Sequence, residues 1–323
     1  MRAVVVDAPG PPAVLRVRDL AKPEARPGWT LVRVLAFGLN RSEVFTRQGH
    51  SGDAVRFPRV LGIECVGEVE ETVDEGALPP GTTVAAVMGG MGRAYDGGYA
   101  EYALLPTERL MPLKTHLDWP TLAALPETFL TARGSLDAME LAPGQTLLVR
   151  GATSSVGMAA LGLGAAAGLR VLGTTRNPDK APVLRERGAA EVVIDDGTLA
   201  GADADAVLDL VGGPTVLDSL LAVRAGGTVC NTGLLGGRWT IPDFEPLEQV
   251  PSGVKLTTFG SSTIGGPEWV GELQEIVDLV QEGRVHANVD RTFPLDDIAA
   301  AHAYMEANRA VGKVIGIPRP RLH

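Results

Sequence analysis

The sequence predicts a two-domain α/β protein in which a mostly β N-terminal region is followed by a doubly wound parallel sheet. Three observations carry this. The chain has 323 residues, more than the roughly 250 to 300 at which a single hydrophobic core stops growing. Its first third consists of short apolar runs punctuated by Gly and Pro. From residue 120 onward the pattern changes to strands alternating with helical segments, as parallel βαβ units require.

In the first region the strand-like runs fall at 2–6, 14–18, 30–39, 63–70, 82–87 and 99–105, with a short helix at 41–47. In the second they fall at 146–150, 170–174, 191–194, 205–208, 227–231 and 255–260, each separated by a helical or crossover segment. Two helices follow, at 269–281 with Gly283 as its stop and at 295–308, and then a last strand at 312–317. One strand and two helices cannot bury a core of their own, so this tail should return to the N-terminal region. The expected domains are 1–119 with 268–323, and 120–267. No repeat of about 20 to 50 residues is visible, which removes solenoid folds.

Composition narrows the function. Apolar residues are 45% and charged residues 21%, the balance of an ordinary globular chain. A formal net charge of -10 without any Lys/Arg-rich run argues against nucleic acid as a partner. No apolar run is long enough to span a membrane, and the run in MRAVVVDAPG is too short for a signal-peptide core. Cys65 and Cys230, the two cysteines, lie in apolar strand-like runs rather than in a disulfide framework. A cytoplasmic protein is expected.

The most informative segment is GATSSVG at 151–157. It follows the strand TLLVR and opens the small-residue helix MAALGLGAAAG, which is the strand, tight turn and helix of a Rossmann-type βαβ unit. Gly151 suits the turn, Ser154 the close approach of a pyrophosphate, and Gly157 the packing of helix on sheet. Backbone N–H groups of Thr153, Ser155 and Val156 at the helix start would receive the phosphates. Without a ligand, the same residues make an ordinary tight βα turn. The next strand decides between them, because it ends in Thr174-Thr175-Arg176-Asn177 with Lys180 beyond. An NAD-binding chain would place Asp or Glu there for the ribose 2′-hydroxyl. Two hydroxyls and two cations, with no carboxylate, suit a 2′-phosphate, so the expected cofactor is NADPH. As a bare helix start, Arg176 and Lys180 would be unfavourably placed at the positive end of the dipole.

Eight segments in order then carry a resemblance that runs nearly end to end: FGLNRSEVFTRQG at 37–49, LGIECVGEVEETV at 61–73, DGGYAEYALLP at 96–106, LPETFLTARGSL at 125–136, GATSSVG, DLVGG at 209–213, AGGTVCNTG at 225–233 and VGKVIGIP at 311–318. The chain resembles the medium-chain dehydrogenase/reductase superfamily, in its zinc-free NADPH:quinone oxidoreductase (zeta-crystallin-like) branch. That resemblance implies a GroES-like catalytic β domain, a Rossmann domain and a homodimer through the Rossmann edge strand at 256–260. It also implies that Asn40 meets the nicotinamide end of the cofactor, that Thr131 lies near the nicotinamide ring, and that Thr232, Gly233 and Leu234 form the loop supporting it. Asn40 is equally well placed to cap the helix at 41–47.

The zinc alcohol dehydrogenases of the superfamily carry a cysteine near position 40, a histidine in a GHE motif and a four-cysteine lobe. This chain has Asn40, Ile63 in Gly62-Ile63-Glu64, and two cysteines where a structural zinc needs four ligands. His50, His116, His286, His302 and His323 are scattered and pair with no nucleophile, so neither a metal site nor a hydrolytic triad is expected. A conjugated acceptor such as a quinone or an enone takes hydride at carbon without a Lewis acid, leaving the protein to position it and exclude water. Where relatives place tyrosines at the quinone site, this chain has Phe45 and Ser51. Arg47, His50 and Ser51 could supply the missing donor or could simply be solvated. Glu64, in an otherwise apolar strand, should be buried with a partner, either structurally or to tune the site. The expected activity is NADPH-dependent reduction of a quinone or related conjugated carbonyl. An enoyl or alkenal double-bond reductase shares every cofactor feature, and a non-catalytic NADPH-binding module is the reading from another class.

Overall fold

The computed structural model describes residues 1–318 apart from 75 and 77, so His323 and the end of the expected tail lie outside the described residues. The chain divides into two compact units, one built from residues 1–130, 261–281 and 287 onward, the other from 131–260 and 282–286. The first crossing falls inside the helix Pro126–Asp137 rather than at 119. The Glu127 N–H at the start of that helix is bonded to Glu64 Oε2 at 3.0 Å, which ties its first turn to the β unit.

In the first unit the long strand Trp29–Leu39 is the organiser. It pairs antiparallel with Glu64–Glu71, with Tyr102–Pro106 and, through Phe37, Gly38 and Leu39, with the last strand Lys313–Ile317. Thr83–Val87 and Met111–Pro112 extend this seven-stranded sheet on one side and Val289–Pro294 on the other, while Arg2–Val6 centres a small separate sheet. The tail thus shares a core with the first residues of the chain: Val4, Val6, Val32, Phe37, Tyr99, Ile298 and Val314 form one apolar cluster. Gly316 is needed there, since a Cβ would lie 2.1 Å from the Phe37 ring, which stacks on Tyr99 with centroids 4.7 Å apart. Val289–Pro294 was not expected, because most of its residues are exposed and give no alternation of apolar side chains. It is held by parallel pairing with Lys313–Ile317 across the connecting helix Ile298–Glu306.

The second unit is one parallel sheet of six strands in the order Glu191–Ile194, Arg170–Thr175, Thr146–Arg150, Ala204–Asp209, Val223–Asn231, Lys255–Thr258. Chain order reverses between Thr146–Arg150 and Ala204–Asp209, and in such sheets ligands bind beyond the carboxyl ends of the strands at that reversal. The central strands are apolar runs because helices cover both faces: Leu147, Leu148, Val149, Ala206, Val207 and Leu208 are all fully buried. The helix Ser155–Ala166 packs on the strands Thr146–Arg150 and Arg170–Thr175. Its glycines are poor helix formers, yet Gly164 allows contact with Val171, where a Cβ would already stand 3.0 Å from Cγ2.

Candidate active site

In the parallel-sheet unit, Gly151 takes φ +84, a conformation open mainly to glycine, and turns the chain out of the strand. The Ser154 hydroxyl donates to Gly151 O at 2.9 Å and accepts from the Gly157 N–H at 3.1 Å. It is therefore the N-cap of the helix. This explains the serine where the motif usually has glycine, and it leaves the N–H groups of Ser155 and Val156, without intrahelical partners in the first turn, to face a ligand. A Cβ on Gly157 would lie 2.6 Å from Gly151 O and 2.7 Å from Ala152 Cα, so helix and turn meet only because that position is bare. The turn and the half-exposed Thr153 to Val156 stretch fit the pyrophosphate of a nicotinamide dinucleotide.

The side chains beyond the second strand differ in part from expectation. Thr174 is buried and its hydroxyl accepts the Gly151 N–H at 3.2 Å, while Thr175 is buried with its hydroxyl bonded to the Asn177 backbone at both N–H and C=O. Both hydroxyls shape the loop instead of facing outward. Arg176 is exposed, Lys180 is half-buried, and neither has an ion-pair partner among the described residues.

The loop after the fifth strand is braced from beneath. Asp209 accepts from the Val211 and Gly212 N–H groups and from the Thr215 and Ser219 hydroxyls, and Asn231 Nδ2 donates to Asp209 O and Gly233 O. Gly233 passes so close to Leu210 that a Cβ would be 2.1 Å from its carbonyl oxygen. Thr131, Thr232, Gly233 and Leu234 are brought together by a residue that sequence reasoning missed. Ser135 Oγ donates to Thr131 O at 2.7 Å, so its contact with Thr232 Oγ1 at 2.8 Å has Thr232 as donor. Thr131 is buried and the three loop residues are half-buried.

In the β unit the chemistry converges on Asn40. It is the N-cap of the helix Arg41–Arg47 and forms a capping box with Glu43, as expected. Nδ2 donates to Glu64 Oε1 at 2.9 Å and to Glu43 Oε1 at 3.3 Å, and Oδ1 accepts from Lys313 Nζ at 2.6 Å. Lys313 Nζ also lies 2.6 Å from Glu64 Oε1 and 3.9 Å from Glu127 Oε2. Glu43 reaches back to the Asn40 N–H and across to the Ile63 N–H, each at 3.0 Å. All of this is buried, and Gly38 makes the room: a Cβ there would stand 2.2 Å from Glu64 Oε1 and 2.5 Å from Lys313 Cε.

The electrostatics follow from burial. Desolvation pushes Glu43 up to about 7, against the pull of the Ile63 N–H and Lys313. Burial opposes the charge on Lys313, but Glu64 and Glu127 hold its pKa above the ordinary lysine value. Glu64 thus has the buried partner expected of it, and that partner, Lys313, gave the same sequence signal as Glu64: a charged residue heading an apolar strand.

The remaining candidates separate. Phe45 and Ser51 are half-buried and His50 is exposed; the Phe45 and His50 rings meet edge to face with centroids 6.2 Å apart. Ser51 Oγ contacts Thr46 Oγ1 at 2.8 Å, and since Thr46 donates to Ser42 O, Ser51 is the donor. Arg47 belongs neither with them nor in solvent. Its side chain is fully buried, donating to Gly10 O at 2.7 Å and to Glu306 Oε1 at 2.6 Å, because it lies on the inward face of its helix with Glu43 and Val44.

The donor set does not fit zinc. Among the described residues no three His, Cys, Asp or Glu side chains group to hold a metal. Burial pushes the Cys65 thiol up to about 12, and the Lys313 ammonium already faces Glu64.

Residues 26–115 match the family described as alcohol dehydrogenase GroES-like domain, and residues 183–315 match that described as zinc-binding dehydrogenase. The quinone oxidoreductase of Pseudomonas aeruginosa is 30% identical over 321 residues, which cover 96% of this chain and 97% of that protein. Among solved structures, one of an NAD-dependent alcohol dehydrogenase is similar with a TM-score of 0.86 at 28% identity, covering 99% of this chain and 100% of its own. A mycobacterial protein complexed with NADPH is similar with a TM-score of 0.86 at 26% identity, covering 98% and 100%. With its GroES-like domain, its six-stranded dinucleotide-binding sheet and its full-length similarity to a quinone oxidoreductase, the chain belongs to the medium-chain dehydrogenase/reductase superfamily, in the quinone oxidoreductase branch, and is a nicotinamide-dependent oxidoreductase.

Proposed function

We propose that this enzyme is a zinc-independent, NADPH-dependent reductase that delivers hydride to a quinone or a related conjugated carbonyl compound. The observation that carries the cofactor choice is the second strand of the parallel sheet, Arg170–Thr175, which is followed by exposed Arg176, with no carboxylate before Asp179 and with Lys180 beyond it. The two cations would hold the 2′-phosphate, and the first-turn N–H groups of Ser155 and Val156 the pyrophosphate. Thr131 and the loop Thr232, Gly233 and Leu234 would support the nicotinamide, and Asn40 would act at its end. Bound NADPH supplies the hydride. Around it, the protein's task is to orient the acceptor and exclude water, with Phe45, His50 and Ser51 as the acceptor-facing side chains.

A conjugated acceptor takes charge onto an oxygen remote from the carbon that receives hydride, which is consistent with a side-chain set unsuited to a metal Lewis acid. The missing phenol at Phe45 and Ser51 keeps an enoyl or alkenal reductase as the second reading. Lys255–Thr258 is one edge of the sheet, with Leu256 36% exposed, and we assign it the homodimer contact. Unpaired Cys65 and Cys230 agree with a reducing, cytoplasmic setting.

Titrating NADPH and NADH against intrinsic fluorescence tests the cofactor choice. NADPH should bind at least tenfold tighter, about 1.4 kcal/mol. Replacing Arg176 and Lys180 together (Arg176→Ser, Lys180→Ser) should erase that preference while leaving NADH affinity nearly unchanged. Equal affinities in the wild-type protein would overturn the assignment.

A further inference from the structure

A guanidinium taken out of water normally has a carboxylate beside it, because desolvation penalises an unpaired charge. In this chain Arg47 has Glu306, Arg59 has Asp96, and Arg150 has Asp195 and Asp218. Arg93 is half-buried and has no carboxylate partner among the described residues. Its Nη2 donates to Ser42 Oγ, and its Nε is buried without a partner. Arg109, also without a carboxylate, rests its Nη1 on the Gly265 carbonyl at 2.9 Å.

Both members of the Arg93 and Ser42 pair are fixed by the β unit. Arg93 follows a tight loop in which Met88 takes φ +57, a left-handed conformation uncommon for a residue with a side chain. The Arg93 N–H donates to Gly90 O at 3.1 Å, and Gly92 is bare where a Cβ would stand 2.8 Å from Gly62 O. Ser42 lies on the helix Arg41–Arg47 three residues before Phe45, so the two share a face, and both are half-buried. Ser42 Oγ accepts from Arg93, and its own hydrogen has no acceptor among the described residues. The pair therefore offers a ligand donors only: the Ser42 hydroxyl and the remaining N–H groups of Arg93.

Building on the proposed function, we propose that Arg93 and Ser42 bind a carboxylate carried by the acceptor, so that the preferred substrates are conjugated carbonyl compounds bearing an acid group. A planar guanidinium fork matches a carboxylate, and the hydroxyl beside it adds a further donor. The contact is one of recognition: the substrate carries this charge before and after reduction. A structural role explains less of the arrangement. Tying the loop to the helix at Ser42 needs one neutral donor, and it leaves the charge of Arg93 uncompensated.

The test compares wild type with Arg93→Met on a matched pair of acceptors, trans-4-oxo-2-pentenoate and its methyl ester. In wild type the KM for the acid should be lower by about tenfold or more. In Arg93→Met it should rise to that of the ester, while the KM for the ester and both kcat values stay nearly unchanged. No charged partner is left behind, so the thermal midpoint should hold or rise. Arg93→Lys keeps the charge but loses the fork and should restore only part of the preference. Equal KM values for acid and ester in wild type, or a variant that weakens both alike, would overturn the proposal.

A binding measurement separates this site from the proposed activity. The saturated analogue 4-oxopentanoate is titrated calorimetrically into the protein with and without NADPH. Wild type should bind it more tightly than its methyl ester, and Arg93→Met should lose the difference. Indistinguishable titrations of wild type and Arg93→Met would overturn the carboxylate site whatever the catalytic result. A wild-type protein that binds 4-oxopentanoate through Arg93 yet oxidises NADPH with no acceptor would instead defeat the proposed function and leave the site standing.

Discussion

Replacing Arg150 with methionine is expected to destabilise the parallel-sheet unit by about 3 kcal/mol. The Arg150 side chain is fully buried at the end of the strand that leads into Gly151. Its Nε and Nη2 bind the two oxygens of Asp195 at 2.9 and 3.0 Å, and its Nη1 binds Asp218 at 2.7 Å, Ser219 Oγ at 3.2 Å and Thr215 O at 3.2 Å. Burial disfavours the charge, yet Asp195 and then Asp218 raise the pKa of Arg150 above the ordinary arginine value. One guanidinium thus joins three elements of the sheet and its crossovers. Removing one partner of a buried pair costs about 3 to 5 kcal/mol because the other charge stays behind. Asp195 and Asp218 are 10% and 21% exposed, so water relieves them in part and the lower figure applies. Urea denaturation followed by circular dichroism measures this, and a loss under about 1 kcal/mol would show that the aspartates are satisfied without Arg150.

The second large effect is a pH dependence that belongs to Glu43. Its unfolded carboxyl titrates near 4.5, whereas burial raises the folded one to about 7. Below pH 4.5 both states are protonated and Glu43 imposes no charge penalty. As pH rises toward 7 the unfolded chain releases the proton that the folded chain still holds, so stability falls across this window and levels off above it. At about 1.4 kcal/mol per pKa unit, the loss approaches about 3.5 kcal/mol. Lys313, Glu64 and the Ile63 N–H face the same carboxyl, and Tyr99 lies within its field. Comparing wild type with Glu43→Gln isolates the one group. The variant should be less stable at low pH, because a carboxamide turns an N–H toward backbone N–H donors, but its stability should change less between about pH 5 and pH 8. Parallel pH profiles for the two proteins would contradict this origin.

These two networks also mark what sequence alone could not convey. The six strands of the parallel sheet, the turn at Gly151 and the charged Glu64 inside an apolar strand were all readable, because each rests on local periodicity or on one residue out of place. Partners were not readable where they are distant: Lys313 meets Asn40 across 273 positions, and Arg47 meets Glu306 across 259. Arg47 was misassigned for that reason, since an arginine at a helix end reads as solvated until its partner is known. The hydroxyls of Thr174 and Thr175 were misassigned for a different reason. Whether a threonine faces a ligand or closes its own loop depends on backbone geometry, which residue type does not report. The missed strand Val289–Pro294 owes its place to pairing rather than to an apolar face.

One assay tests the proposed activity directly. Purified protein, incubated with NADPH and a chelator, is given a panel of quinones and a panel of α,β-unsaturated carbonyl compounds while the reduced-nicotinamide absorbance is followed. Quinones are expected to oxidise NADPH, at a rate the chelator leaves unchanged and well above that with NADH at low cofactor concentration. Tight NADPH binding with no oxidation by either panel would contradict it and point to a cofactor-binding module without this activity.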